Sequence, residues 1–393
     1  MFENLMAQPK DNIMALMGMF AIDERKNKID LGVGVYKDKT GRTPIVEAVK
    51  IAEQRLLKRQ LSKSYVGLLG SIAFVDQIIN LTLNDSVSKS RVIGAQAPGG
   101  TGALHQLFLL IRAASPNATV WLSTPTWPNH PAILDHLGLT KRSYRYFDEK
   151  TCSVDFDGMK EDLTEARSGD ILLLHGCCHN PTGANIKLND WVELTNFCLE
   201  KNITPLIDLA YQGFGDGLHQ DVLGLQSMAS KIPNMMIAAS CSKNFGVYRD
   251  RVGAALVIAE GNSEAKLAED NLKSLNRLTF SFPPDHGAAV VELVLDNSDL
   301  RQKWSSELEG MRKGMLDIRL KLSKSLNAKT KSNRFDFILD HRGMFSRLGL
   351  TEKNVEVLRE EFGIYMVSDS RVNIAGLQTN NIDFLASSIS KIL

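Results

Sequence analysis

The chain has 393 residues, and its 46 basic and 45 acidic side chains leave a formal charge of +1. At roughly 150 residues per domain this length suits two or three domains, and 44% hydrophobic with 23% charged residues is an ordinary soluble composition. So even a balance carries no electrostatic footprint for nucleic acid or an anionic membrane surface, and excludes both as expected partners.

Taken from the N-terminus, Met1 to Phe20 reads as no leader, because Glu3, Lys10 and Asp11 interrupt its apolar residues. No later run approaches the ~18 apolar residues of a membrane helix. Arg91–Ala97, Ala118–Ser123, Ile171–His175, Ile203–Ile207, Met235–Ser240 and Val252–Ile258 are short apolar runs, as expected of strands covered on both faces. Between them Ala103–Ala114 and Asp190–Lys201 have helical periodicity, the second with Trp191, Leu194 and Cys198 on one side. The alternation predicts an α/β domain with a mostly parallel sheet flanked by helices, in which ligands bind beyond the carboxyl ends of the strands.

From Ser298, read as an N-cap, apolar residues from Leu300 to Leu322 recur every three or four positions. They predict one helix of about seven turns, with Gly310 and Gly314 marking a bend or a close approach. Strand-like pieces at Phe335–Ile338, Gly343–Arg347 and Arg371–Ile374 follow, then a helix carrying Ile382, Leu385, Ile389 and Ile392. This end is a smaller α+β domain. The expected division is 44–310 for the large domain, with 1–43 and 311–393 forming the small one.

The five cysteines, Cys152, Cys177, Cys178, Cys198 and Cys241, have no disulfide-like spacing and suit reduced thiols in a cytoplasm. Cys177 and Cys178, between His175 and His179, lack zinc-site spacing and read as small residues at a strand end, so no metal is expected.

The residues just past each strand carry the chemistry. Pro98-Gly99-Gly100-Thr101-Gly102 opens a helix, where backbone N–H groups and the helix dipole favour an anion. It is neither a dinucleotide fingerprint nor a P-loop. Trp127 lies between two prolines, Asn180-Pro181-Thr182-Gly183 is a turn presenting an amide, and Asp208 ends an apolar run with Tyr211 close behind. Met235–Ser240 leads into Ser242-Lys243, then Arg251. A lysine with a depressed pKa can form a Schiff base, and a carboxylate such as Asp208 can keep a pyridine nitrogen protonated. Tyr211 and Asn180 suit a ring phenolate oxygen and Trp127 a ring face. Gly99, Gly100, Thr101, Ser240, Ser242 and Arg251 suit a phosphate. Pyridoxal phosphate needs all of these groups.

The chain resembles class I (fold type I) aminotransferases of the bacterial aspartate and aromatic amino-acid subgroup. The resemblance runs from Leu31-Gly32-Val33-Gly34 through Tyr65-Val66-Gly67, Trp127-Pro128-Asn129-His130, Asn180-Pro181-Thr182-Gly183, Asp208-Leu209-Ala210-Tyr211 and Ser242-Lys243-Asn244 to Arg371-Val372-Asn373. It implies that Lys243 carries the cofactor and moves a proton, that Asp208 pairs with the pyridinium, supported from behind by His130, and that Tyr211 completes the catalytic set. Arg371 would clamp the substrate α-carboxylate, helped by Asn180, the backbone at Gly34 and the nearby Trp127. Tyr65 would reach the phosphate of the neighbouring subunit and Arg277 a side-chain carboxylate there, which makes the expected unit a homodimer with shared sites.

Three departures bear on the substrate: Phe282 where relatives often carry a small polar residue, Arg347 where an apolar one is common, and Cys241 in place of an aromatic. Phe282 leans toward the aromatic branch. The expected activity is transamination of aromatic amino acids and aspartate with 2-oxoglutarate. A strict aspartate aminotransferase, or an aspartate β-decarboxylase or β-lyase on the same fold, is the alternative. A cofactor-binding regulator would carry a DNA-binding domain, which is not read here, and a nicotinamide dehydrogenase would need its fingerprint.

Overall fold

The protein is described by a computed structural model that covers residues 1–7 and 12–393; Lys10 and Asp11 lie outside the described residues. Its strands are β1 (Ile29–Asp30), β2 (Val92–Pro98), β3 (Thr119–Thr124), β4 (Thr140–Arg145), β5 (Phe147–Asp148), β6 (Ser153–Val154) and β7 (Ile171–His175). They continue with β8 (Thr204–Leu209), β9 (Met235–Ser240), β10 (Val252–Ile258), β11 (Phe345–Arg347), β12 (Ile364–Tyr365) and β13 (Arg371–Asn373). Seven form one sheet in the order β2-β10-β9-β8-β7-β3-β4. Within it β10 runs antiparallel to both neighbours and the other pairs are parallel.

The apolar runs fill both faces of this sheet. In β7, Leu172 and Leu174 join one core cluster while Ile171 and Leu173 join another, as period-two alternation requires. The helix Gly99–Ala114 covers one face with Leu104, Leu107, Phe108 and Ile111. Helix Leu188–Lys201 covers the other with Trp191, Leu194 and Cys198. The polar edge strand β4 (Thr-Lys-Arg-Ser-Tyr-Arg) escapes the apolar-run criterion because it has one sheet neighbour and only Tyr144 fully buried.

Helix Ser298–Thr330 is 33 residues long, longer than the apolar repeat suggests. Its cap is Asn297, whose side chain accepts from Leu300 N–H at 3.1 Å, so Ser298 is the first helical residue rather than the cap. Gly310 has open space where a side chain would be, and a Cβ on Gly314 would only touch the Tyr36 hydroxyl at 4.0 Å. Neither glycine is demanded by close packing. Leu300, Trp304, Leu308 and Met315 pack into the core of the large sheet, and Leu322 and Leu326 into a separate cluster with Ile29, Leu31, Leu385 and Ile389. One helix thus ties both cores together. In the second core β1 pairs in parallel with β12, and β11 pairs antiparallel with β13. The expected strand at Phe335–Ile338 is instead a 3-10 turn, Asp336–Leu339. Phe335 and Ile338 are both buried at a spacing of three, which suits three residues per turn and not a pleat.

Candidate active site

Beyond the carboxyl ends of β2, β7, β8 and β9 lies a cavity of about 250 Å³. Because β10 is antiparallel, its first residue pairs with Pro98, and this brings Arg251 to the same edge as Gly99, Ser240 and Ser242.

One end of the cavity is built for an anion. The helix starts at Gly99 itself, so the glycines form its first turn rather than precede it, and Pro98 supplies no side-chain cap. The first-turn N–H groups of a helix have no helical acceptor, and Gly100 and Thr101 of this turn line the cavity. A Cβ on Gly99, whose φ is +74°, would lie 2.5 Å from the Arg251 guanidinium. One on Gly100 would lie 2.9 Å from Ser240 Cβ. Arg251 donates to Ser242 Oγ at 3.4 Å and to the Tyr248 carbonyl at 3.0 Å, and Thr101 completes the wall.

At the centre, Asp208 is buried and His130 Nε2 donates to its Oδ2 at 3.1 Å. Burial raises the Asp208 carboxyl, but the hydrogen bond from His130 and the positive charge of Lys243 nearby outweigh it and hold the group below its ordinary range. Behind it runs a relay. The Asn180 backbone N–H donates to His175 Nδ1 at 3.2 Å, and His175 Nε2 faces the Thr126 hydroxyl at 3.5 Å. That hydroxyl donates to His130 Nδ1 at 2.8 Å. Burial lowers His175 to about 3, which keeps it neutral. Lys243 Nζ lies 4.8 Å from the centre of the Tyr211 ring. Burial depresses the lysine, against the pull of Asp208, and raises the Tyr211 phenol, so Tyr211 stays a donor and Lys243 is easier to deprotonate. Trp127 lines the same cavity.

Beside the Gly34 and Asn180 side of the cavity stands a buried cation. Arg371 is 5% exposed. It donates through Nη1 to Asn180 Oδ1 at 3.3 Å and through Nη2 to the Gly32 carbonyl at 3.0 Å. Its guanidinium lies 4.5 Å from the centre of the Phe345 ring, and its buried Nε has no partner among the described residues. Phe345 also limits Gly34, where a Cβ would lie 2.9 Å from the ring.

The family profile of class I and II aminotransferases matches residues 26–389. The chain belongs to that family. It is 51% identical over 392 residues to the aromatic-amino-acid aminotransferase of Paracoccus denitrificans, covering 100% of both chains. It is 41% identical over 396 residues to the aspartate aminotransferase of Salmonella typhi, again covering 100% of both. The solved aromatic-amino-acid aminotransferase of Burkholderia pseudomallei, covalently bound to pyridoxal phosphate, superposes with a TM-score of 0.97 at 38% identity, covering 100% of this chain and 99% of that one.

In this aminotransferase Tyr65 and Arg277 do not join the cavity of their own chain. Tyr65 is 84% exposed and stacks on Phe282 at 4.6 Å. Arg277, also exposed, donates to Ser281 Oγ at 2.5 Å and lies 5.6 Å from the Phe282 ring centre. Cys241, between Ser240 and Ser242 in the chain, is buried, and burial pushes its thiol up. Arg347 points from β11 to Glu149 and to the Asp369 carbonyl. His175, Tyr248 and Leu104 line the cavity and were not singled out as site residues. His175 was legible as the last residue of a strand. Tyr248 is placed by a long-range bond, its hydroxyl accepting from Tyr36 N–H at 3.2 Å.

Proposed function

We propose that the chain uses pyridoxal phosphate to move amino groups from aromatic amino acids and aspartate to 2-oxoglutarate, giving glutamate and the matching 2-oxo acid. The observation that carries this reading is one cavity with an anion cradle at one end, an ionised aspartate and a lysine in its middle, and Asn180 in its wall bonded to the buried Arg371. The residues fit the cofactor: the Gly99–Gly100 cradle is space that side chains would fill, and the donors around it suit a phosphate. The relatives named for aromatic and aspartate aminotransfer support the substrate class.

Bound pyridoxal phosphate supplies a reactive carbonyl and an electron-withdrawing ring. Asp208 presents its charge to the ring nitrogen, and the His130–Thr126–His175 relay keeps that carboxylate oriented and ionised. Lys243 would hold the cofactor covalently and, once displaced from it by the substrate amino group, its amine, with its lowered pKa, would take up and return the proton at the substrate Cα. Tyr211 and Asn180 donate to the ring oxygen, and Trp127 covers a ring face. Arg371 holds the α-carboxylate through a charged fork, with Asn180 fixing the fork's other side.

Steady-state rates with 2-oxoglutarate as acceptor test the proposal. Phenylalanine and aspartate should both serve as donors. Activity with aspartate alone would make it a strict aspartate aminotransferase, and release of carbon dioxide from aspartate without acceptor would favour a β-decarboxylase.

The Gly99 cradle gives a second expectation. Gly99→Ala pushes a methyl group against Arg251 from a positive-φ position, so cofactor should dissociate at least about tenfold more readily. Equilibrium dialysis of the variant reads this directly, and unchanged affinity would place the phosphate elsewhere.

The proposal includes a homodimer, with Tyr65 and Arg277 serving the neighbouring cavity; their exposure and distance from the chain's own cavity support it. Mixing inactive Lys243→Ala with inactive Arg277→Ala protein, with subunit exchange, should restore aspartate activity, because one site of each mixed dimer carries neither change. Failure after verified exchange would mean that each chain completes its own site. The proposed domains remain 44–310 and 1–43 with 311–393, a division supported by the β1–β12 pairing and the shared second core. Five buried free thiols suit a cytoplasmic setting.

A further inference from the structure

Arg319 is 1% exposed, and among the described residues its guanidinium meets no carboxylate. Its acceptors all lie on one segment, residues 338–346. Nη1 donates to Ser346 Oγ at 2.6 Å and to the Ile338 carbonyl at 3.4 Å, and Nη2 to the carbonyls of Gly343 at 2.8 Å and Phe345 at 2.7 Å. A buried cation held only by dipoles is expensive to keep, and replacing it with an apolar side chain is often neutral or stabilising. Stability alone is therefore a poor account of it.

The segment it grips is the hub of the substrate end. The Phe345 ring lies beneath Arg371 at 4.5 Å, limits Gly34, and meets Tyr211 edge-on at 6.2 Å. Arg342 N–H donates to the Gly183 carbonyl at 2.9 Å and Arg347 N–H to that of Thr182 at 3.3 Å, which ties the segment to the turn carrying Asn180. At Gly343, with φ +77°, a Cβ would lie 2.3 Å from Cys178 Cβ, so the backbone is pressed against the turn that follows β7. Two of the four Arg319 bonds hold the carbonyls on either side of Met344, where the Phe345 ring is set against Gly34 and Arg371.

We propose that Arg319 is a positioning residue for the substrate α-carboxylate: by fixing the backbone of Gly343 and Phe345, it sets the ring on which the Arg371 guanidinium rests. This rests on the reading of Arg371 as the carboxylate clamp. The α-carboxylate is common to every donor, so loss of Arg319 should weaken all donors by one factor and not discriminate between side chains. It is held in ground and transition states alike, so the loss should fall on KM and not on kcat.

The test compares holoenzymes of the parent, Arg319→Met, Arg319→Lys, Ser346→Ala and Arg371→Leu. Four quantities are measured: Kd of 3-phenylpropionate by calorimetry, KM and kcat for aspartate and phenylalanine, the cofactor dissociation constant and Tm. Arg319→Met should raise Kd and both KM values by a shared factor of at least about ten, since a small misplacement in such a site is amplified. Its kcat and cofactor affinity should stay within about threefold of the parent, and Arg319→Lys, which keeps a cationic donor, should recover part of the loss. Ser346→Ala removes one acceptor and should shift Kd in the same direction by a few fold; it decides the matter if Arg319→Met does not fold. An unchanged Kd, or losses in kcat and cofactor affinity that follow Tm instead of carboxylate binding, would overturn the proposal. If Arg371→Leu weakens 3-phenylpropionate and the Arg319 and Ser346 variants do not, only the positioning role fails; if Arg371→Leu also leaves Kd unchanged, the clamp reading fails first.

Discussion

Lys243→Ala should reduce turnover at least ~10³-fold, the range typical for loss of a group that both transfers a proton and forms a covalent link. Lys243 lines the cavity beside Tyr211, and burial lowers its pKa against the opposing charge of Asp208. A more readily neutral amine can bond to a carbonyl carbon and take up a proton, and alanine can do neither. The phosphate cradle and Asp208 do not depend on the lysine, so the variant should still bind pyridoxal phosphate. Two measurements separate anchor from affinity: the mass of borohydride-treated protein, which should include the cofactor only in the parent, and cofactor retention on dialysis. Normal transamination by Lys243→Ala would refute the assignment.

Arg277→Leu should divide the donors. If Arg277 of one subunit meets the distal carboxylate of aspartate in the other, its loss leaves a charged group without a partner, and kcat/KM for aspartate should fall by ~10³. Phenylalanine should be nearly unaffected, because an aromatic side chain in the same place requires the guanidinium to leave; a desolvated, unpaired cation beside the ring would be strongly unfavourable. The structure contains a place for it to go: Arg277 is exposed, bonded to Ser281 Oγ and lying over Phe282, whose ring is itself stacked on Tyr65. Measuring both donors on both proteins decides the matter. Equal losses would make Arg277 structural, and no aromatic activity in the parent would restrict the enzyme to aspartate.

Much of this was legible in the chain. A strand covered on both faces must be apolar throughout, and that local rule located all six buried strands of the large sheet, from β2 to β10. The carboxyl-end rule then brought Gly100, Asn180, Asp208 and Lys243 together before any coordinates, because in a parallel sheet every such end opens on the same side. Local rules failed where burial is one-sided or is supplied from far away. Strand β4 is polar because it is an edge, and Phe335–Ile338 is a 3-10 turn because its two buried residues are three apart and not two.

What only the tertiary structure decided is which polar residues work together. Arg319 stands four residues after Met315 and three before Leu322, on the apolar face of its helix, where its charge was the available clue. The meaning of that charge lies in carbonyls up to 26 residues away. The ordering of Thr126, His130 and His175 behind Asp208, over separations of up to 78 residues, likewise has no signature in local periodicity. Periodicity records whether a side chain is buried. It does not record which group, brought in by a distant turn of the chain, satisfies the hydrogen bonds of a polar side chain once burial has removed water from it.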